Sequence, residues 1–101
     1  MTKVNVVKDI DLIKSIEVYD HAGFAGHGDD IVCAGISTII FGGLNALIEF
    51  GLSEESVEVS EATININLNE VENIQVVVQT IIIQLQTIQE SYPDYIDIQI
   101  H

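Results

Sequence analysis

From Ile31 to Phe50 the chain carries Ile36, Ile39, Ile40, Phe41, Leu44, Leu47 and Ile48 on nearly every side of one helix. A helix that is apolar almost all round must be buried on most sides, so it is either central to the fold or part of a subunit interface. Gly51 supplies its stop, a residue suited to the position just past a helix C-terminus. The pair Gly42-Gly43 in its middle costs about 1 kcal/mol per residue relative to alanine. Close approach of another backbone would offset that cost, as would room for a partner subunit.

The rest of the chain is read around this helix. Val4 to Lys8 and Leu12 to Tyr19 are rich in β-branched residues and flank a turn at Asp9-Ile10-Asp11, which predicts two strands. Residues 20 to 29 hold three glycines, Phe24 and two histidines, and read as a surface loop. Val57 to Val59 and Ala62 to Leu68 alternate with period two and predict a hairpin around Ser60-Glu61. Val71, Ile74, Val78, Ile81, Leu85, Ile88 and Tyr92 are spaced three and four apart, one stripe of a second helix. Val77, Ile82 and Ile83 widen the apolar surface, and Gln75, Gln79, Gln84, Gln86, Gln89 and Glu90 make the opposite face polar. Pro93 ends this helix, and Ile96, Ile98 and Ile100 alternate as a last strand. The predicted fold is α+β, order ββαββαβ: an antiparallel or mixed sheet with two helices packed on it. At 101 residues the expectation is a single domain spanning 1–101.

Three lysines, no arginine and sixteen acids leave a formal charge of −13. A surface this acidic repels phosphate backbones, which argues against nucleic-acid binding, and attracts a basic partner such as a lysine-rich peptide. The residues after Met1 form no signal peptide, and no run approaches the roughly 18 apolar residues of a membrane span. With one cysteine no intramolecular disulfide forms; a free thiol suits a reducing cytoplasm.

That cysteine lies in Gly28-Asp29-Asp30-Ile31-Val32-Cys33-Ala34-Gly35-Ile36-Ser37, where loop turns into helix. With Asp30 as N-cap, Cys33 falls in the first turn, where the helix dipole lowers a thiol pKa from its free value of about 8.5. Asp29 and Asp30 oppose this, and a protonated His21 or His27 tips the balance towards thiolate. His21 is the better base, because it follows directly on the second strand, whereas His27 sits between Gly26 and Gly28. Ser37 is one turn beyond Cys33 on the same helix face. It is placed to bond near the thiol or the substrate, or back to a helix carbonyl. The structural alternative is a small core cysteine beside solvated histidines. No metal or other cofactor is expected: one cysteine and two histidines at these spacings match no common zinc pattern.

His21-Ala22-Gly23-Phe24-Ala25, Asp30-Ile31-Val32-Cys33-Ala34 with Ser37, and Phe41-Gly42-Gly43-Leu44-Asn45-Ala46 together resemble the signature of the ribosomal-processing cysteine protease (Prp) family. The resemblance extends through Gln79-Thr80, Leu85 and Pro93 and so covers essentially the whole chain. It implies a small α+β homodimer of Gram-positive and related bacteria. Such enzymes remove a short N-terminal extension from a large-subunit ribosomal protein during ribosome assembly, cutting after a Phe-rich stretch. Carried over, Cys33 is the nucleophile and His21 the general base, and Asp30 and Ser37 match signature positions; these two, with Phe24 on the glycine-rich loop, are the residues expected to contact substrate. Asp20 departs from the glycine usual before the histidine. Two other functions compete: a non-catalytic homodimeric assembly factor gripping a basic protein tail, and a redox sensor using Cys33.

Overall fold

The computed structural model describes residues 1–19, 31–60, 63–68 and 72–101. The first two strands, β1 (Thr2–Asp9) and β2 (Leu12–Tyr19), form an antiparallel hairpin. Alternation decides their faces: Val4, Val6, Ile16 and Val18 are buried, while Lys3, Val7 and Glu17 on the other face are exposed. The hairpin turns at Ile10, whose φ of 58° puts a β-branched side chain in the left-handed region. A bulge between Val7 and Lys8 shifts the register near that turn.

Helix α1 (Ile31–Glu49) buries Val32, Ile36, Ile40, Leu44 and Leu47. A single 3-10 turn, Glu54–Ser56, capped by the Ser53 hydroxyl, leads into β3 (Val57–Val59), which pairs antiparallel with β4 (Thr63–Asn67). Helix α2 (Glu72–Ser91) then returns to β5 (Ile96–Ile100). The sheet order is β3-β4-β2-β1-β5, with β5 parallel to β1 and the other pairs antiparallel. The mixed sheet, two helices and ββαββαβ order match the expectation. Both helices share one core with one face of the sheet: Val4, Ile16, Ile36, Leu47, Ile64, Ile74, Leu85 and Ile96 are all essentially inaccessible.

The two glycines of α1 resolve differently. A Cβ on Gly43 would lie 2.5 Å from Ile81 Cδ1 and 2.6 Å from Cγ1, so α2 packs there at a distance only glycine permits. One on Gly42 would meet nothing within 4 Å. Gly35 faces Ile88 at 3.5 Å. Since partners descend along α2 as residues ascend along α1, the helices run antiparallel.

Two sequence readings are corrected. Gln75, assigned to the polar face of α2, is buried; its amide accepts from Ile13 N at 2.8 Å and donates to Ile13 O at 3.0 Å. The stripe count could not place it there, because the partner is a strand backbone brought beside α2 only by the fold. The other concerns membrane length. α1, 19 residues with mean hydropathy 2.1, is long and apolar enough to cross a bilayer by length and composition alone. Small residues such as Gly35, Gly42 and Ala46 break the run of large apolar side chains, yet the many isoleucines and leucines keep the mean high. In the fold its buried stripe packs into the shared core.

Candidate active site

The sheet places one end of the molecule by register. Lys3 lies opposite Tyr19, Tyr19 opposite Thr63, and Thr2 opposite Ile96, so β1 begins, β2 ends, and β4 and β5 begin at the same end. Gln75 ties the start of α2 to Ile13 at the opposite end, so α2 climbs towards this one. Its last turn continues through Tyr92 N–H to Ile88 O (2.8 Å) and Tyr95 N–H to Tyr92 O (3.0 Å). Tyr95 O then accepts from Thr2 N at 3.0 Å. Tyr92 and Tyr95 pack edge to face there, centroids 6.3 Å apart. Antiparallel packing brings the start of α1 to the same end.

Cys33, the third residue of α1, is half-buried and not disulfide-bonded. It therefore sits in the first turn, where backbone N–H groups point outward and the helix end carries partial positive charge. β2 ends at Tyr19, two residues before His21, at this same end. The start of α1, which carries Cys33, and the end of β2 thus lie at the same end of the core. His21, Phe24 and Asp30, with Asp20, Asp29 and His27, lie outside the described residues. Ser37 is half-buried one turn along α1. The back-bonding considered for it occurs at its neighbour, where Thr38 Oγ1 donates to Ala34 O at 2.8 Å.

Helical phase shows which way this site opens. Gly35 faces α2, and Cys33 lies two residues earlier, about 160° away round the helix at about 100° per residue. Cys33 and Ser37 therefore occupy the flank of α1 turned away from α2. Helix α2 covers β5, β1 and the start of β2, the strands that with it line a cleft at Val6, Ile13, Ile82 and Ile100. Side by side on one face, α1 lies over the other half, so the thiol flank faces β4 and β3. Among the described residues no group of three His, Cys, Asp or Glu side chains is placed to hold a metal ion.

The chain matches the family model described as "Cysteine protease Prp" over residues 1–97. It is 31% identical over 90 residues to the ribosomal processing cysteine protease Prp of Bacillus subtilis, covering 81% of this chain and 80% of that protein. With the protein of the same name from Mycoplasma genitalium the identity is 37% over 97 residues, covering 95% and 92%. The fold superposes with a TM-score of 0.88, 27% identity and full coverage of both chains on the essential ribosomal processing protease Prp from S. aureus in complex with a covalently linked product peptide.

Proposed function

The chain belongs to the Prp family of cysteine proteases, and on that footing we propose that it removes an N-terminal extension from a large-subunit ribosomal protein, with Cys33 as nucleophile and His21 as general base. The observation that carries the assignment of roles is the position of Cys33 in the first turn of α1, at the end of the sheet where β2 hands the chain to His21. The whole chain, 1–101, is read as one such protease domain.

In the proposed reaction His21 takes the thiol proton and Cys33 Sγ attacks the scissile carbonyl carbon. The tetrahedral oxyanion collapses with cleavage of the C–N bond as His21 returns the proton to the leaving amine. Water, activated by the same imidazole, then hydrolyses the thioester. Backbone N–H groups at the start of α1 are suited to stabilise the oxyanion. Phe24, Asp30 and Ser37 are assigned to substrate contact, Ser37 because it extends the Cys33 face by one turn. The −13 charge favours a basic, Phe-containing substrate tail.

The reading includes a homodimer acting in the bacterial cytoplasm. One feature supports self-association: in so acidic a chain, α1 carries a single charge, Glu49, and α2 carries none from Asn73 to Gln89. Their outer surface holds a 420 Å³ groove lined by Ile39, Gly42, Ala46, Val76 and Thr80. Two copies can meet there without bringing their carboxylates together.

The test is incubation with a peptide carrying Phe-Phe followed by lysines, read by mass spectrometry. Cleavage by the parent and by neither Cys33→Ala nor His21→Ala supports the assignment. Cleavage surviving in Cys33→Ala refutes it. Binding without cleavage, together with slow alkylation of Cys33 at neutral pH, favours the assembly-factor reading.

A further inference from the structure

We propose that the outer edge of β3 receives the backbone of the substrate, an extended basic peptide, with Val59 flooring one side-chain subsite and Glu54, Glu55 and Glu58 drawing in its lysines or arginines. The proposal rests on the protease reading above and adds to it where the chain lies relative to the thiol.

Four observations converge on this edge. β3 terminates the sheet, and among the described residues it pairs only with β4, leaving one row of backbone donors and acceptors open. It is also the edge on the Cys33 side: the other edge strand, β5, lies beyond α2, whereas the thiol flank of α1 faces β3 and β4. Third, the helix side of β3 becomes uncovered towards the active end. Val57 is half-buried against the core, yet Val59, two residues on and on the same face, is 57% exposed. Its cross-strand partner Ile64 is only 2% exposed, so the opening is confined to the outermost strand beside the start of α1. Fourth, Glu54, Glu55 and Glu58 are all exposed within five residues leading along this edge. An extended peptide that adds a strand gains affinity from main-chain hydrogen bonds and specificity from alternate side chains. Here the alternate set facing the helices meets Val59 and then the thiol.

Glutamates on a short edge strand also discourage aggregation, and the test separates the two roles. A fluorescein-labelled peptide with Phe-Phe followed by lysines is bound to the Cys33→Ala protein, so that affinity is read without turnover. A series of the same peptide carries one backbone N-methyl group at each successive position. Strand pairing predicts period two: alternate positions weaken binding roughly 5- to 10-fold, the value of one hydrogen bond, and those between change it little. Val59→Asp and the double variant Glu54→Lys, Glu55→Lys should each weaken binding, the latter with a reduced dependence on salt. A flat N-methyl scan, unchanged affinity in both variants, or no binding to Cys33→Ala overturns the proposal. Cleavage by the parent with a flat scan removes this edge and leaves the protease standing. Period-two binding without cleavage by the parent does the reverse.

Discussion

Gln75 offers the sharpest test of how the fold holds together. Its amide makes two hydrogen bonds to one backbone residue, accepting from Ile13 N at 2.8 Å and donating to Ile13 O at 3.0 Å, both buried. Ile13 lies just past the hairpin turn, where the bulge between Val7 and Lys8 disturbs the β1–β2 ladder. Truncation in Gln75→Ala leaves a buried N–H and a buried C=O without that partner, each costing about 1–3 kcal/mol. Alanine returns a few tenths through helix propensity. The expected loss is therefore roughly 2–5 kcal/mol, a large share of the 5–15 kcal/mol typical of a domain. Gln75→Glu keeps the size and the acceptor but sets a carboxylate oxygen against the Ile13 carbonyl unless a proton lies between them. Burial and that contact raise the folded-state pKa of the introduced carboxyl above its unfolded value of about 4.3. Its deficit relative to the parent is then small below that unfolded value and grows as pH rises through the folded one. The assay is urea unfolding by far-UV circular dichroism at fixed protein concentration, across pH, for parent and both variants. A loss under about 0.5 kcal/mol for Gln75→Ala, the scale of an ordinary surface change, would refute the reasoning. So would a pH-independent deficit for Gln75→Glu.

Neighbouring glycines should answer oppositely. Gly42→Ala, opening onto space within the chain, gains up to about 1 kcal/mol, while Gly43→Ala drives a methyl into Ile81 and loses roughly 1–2 kcal/mol net of propensity. Thermal midpoints on either side of the parent check this, and a shift of the same sign in both would contradict it. At Ile10, φ 58° and 89% exposed, Ile10→Gly should stabilise by about 1 kcal/mol and raise Tm by about 4–8 °C; an unchanged Tm would mean the turn carries no strain. Cys33→Ala should retain the parent's Tm within a few degrees while losing all cleavage, separating chemistry from packing at this half-buried position; calorimetry beside the peptide assay reads both.

What the chain discloses locally is what survives folding unchanged. The 3-4 stripe from Ile74 to Ile88 is buried or half-buried as spaced, and Val4, Val6, Ile64 and Ile66 alternate onto the core face. The position of Cys33 in a helix's first turn is equally local, since it depends only on where α1 begins. Spacing alone puts Gln75 on the polar face, because the partner that buries it is 62 residues away in sequence. Ile83 widens the apolar surface of α2 by spacing yet is 61% exposed, because α2 turns that side outward. The open edge of β3 could not be read because an edge is defined by strand order, and order is set by every pairing in the sheet at once. Periodicity allowed either an antiparallel or a mixed sheet; the parallel β1–β5 pair decides for the latter.

That parallel pair has a consequence for how the molecule comes into being. β1 is flanked by β2 on one side and by β5, made much later, on the other: Thr2 lies opposite Ile96, and His101 exchanges backbone hydrogen bonds with Val6 and Lys8. Its sheet neighbours are complete only once synthesis has reached β5. Pairing so distant in sequence is formed late and slowly. The end that carries Cys33 is buttressed by the same closure, through Tyr95 and Thr2. A nascent chain on the ribosome therefore has its thiol long before it has a framework to aim it. On the proposed mechanism cleavage has to wait for β5, and removal of that strand should abolish it as surely as removal of Cys33.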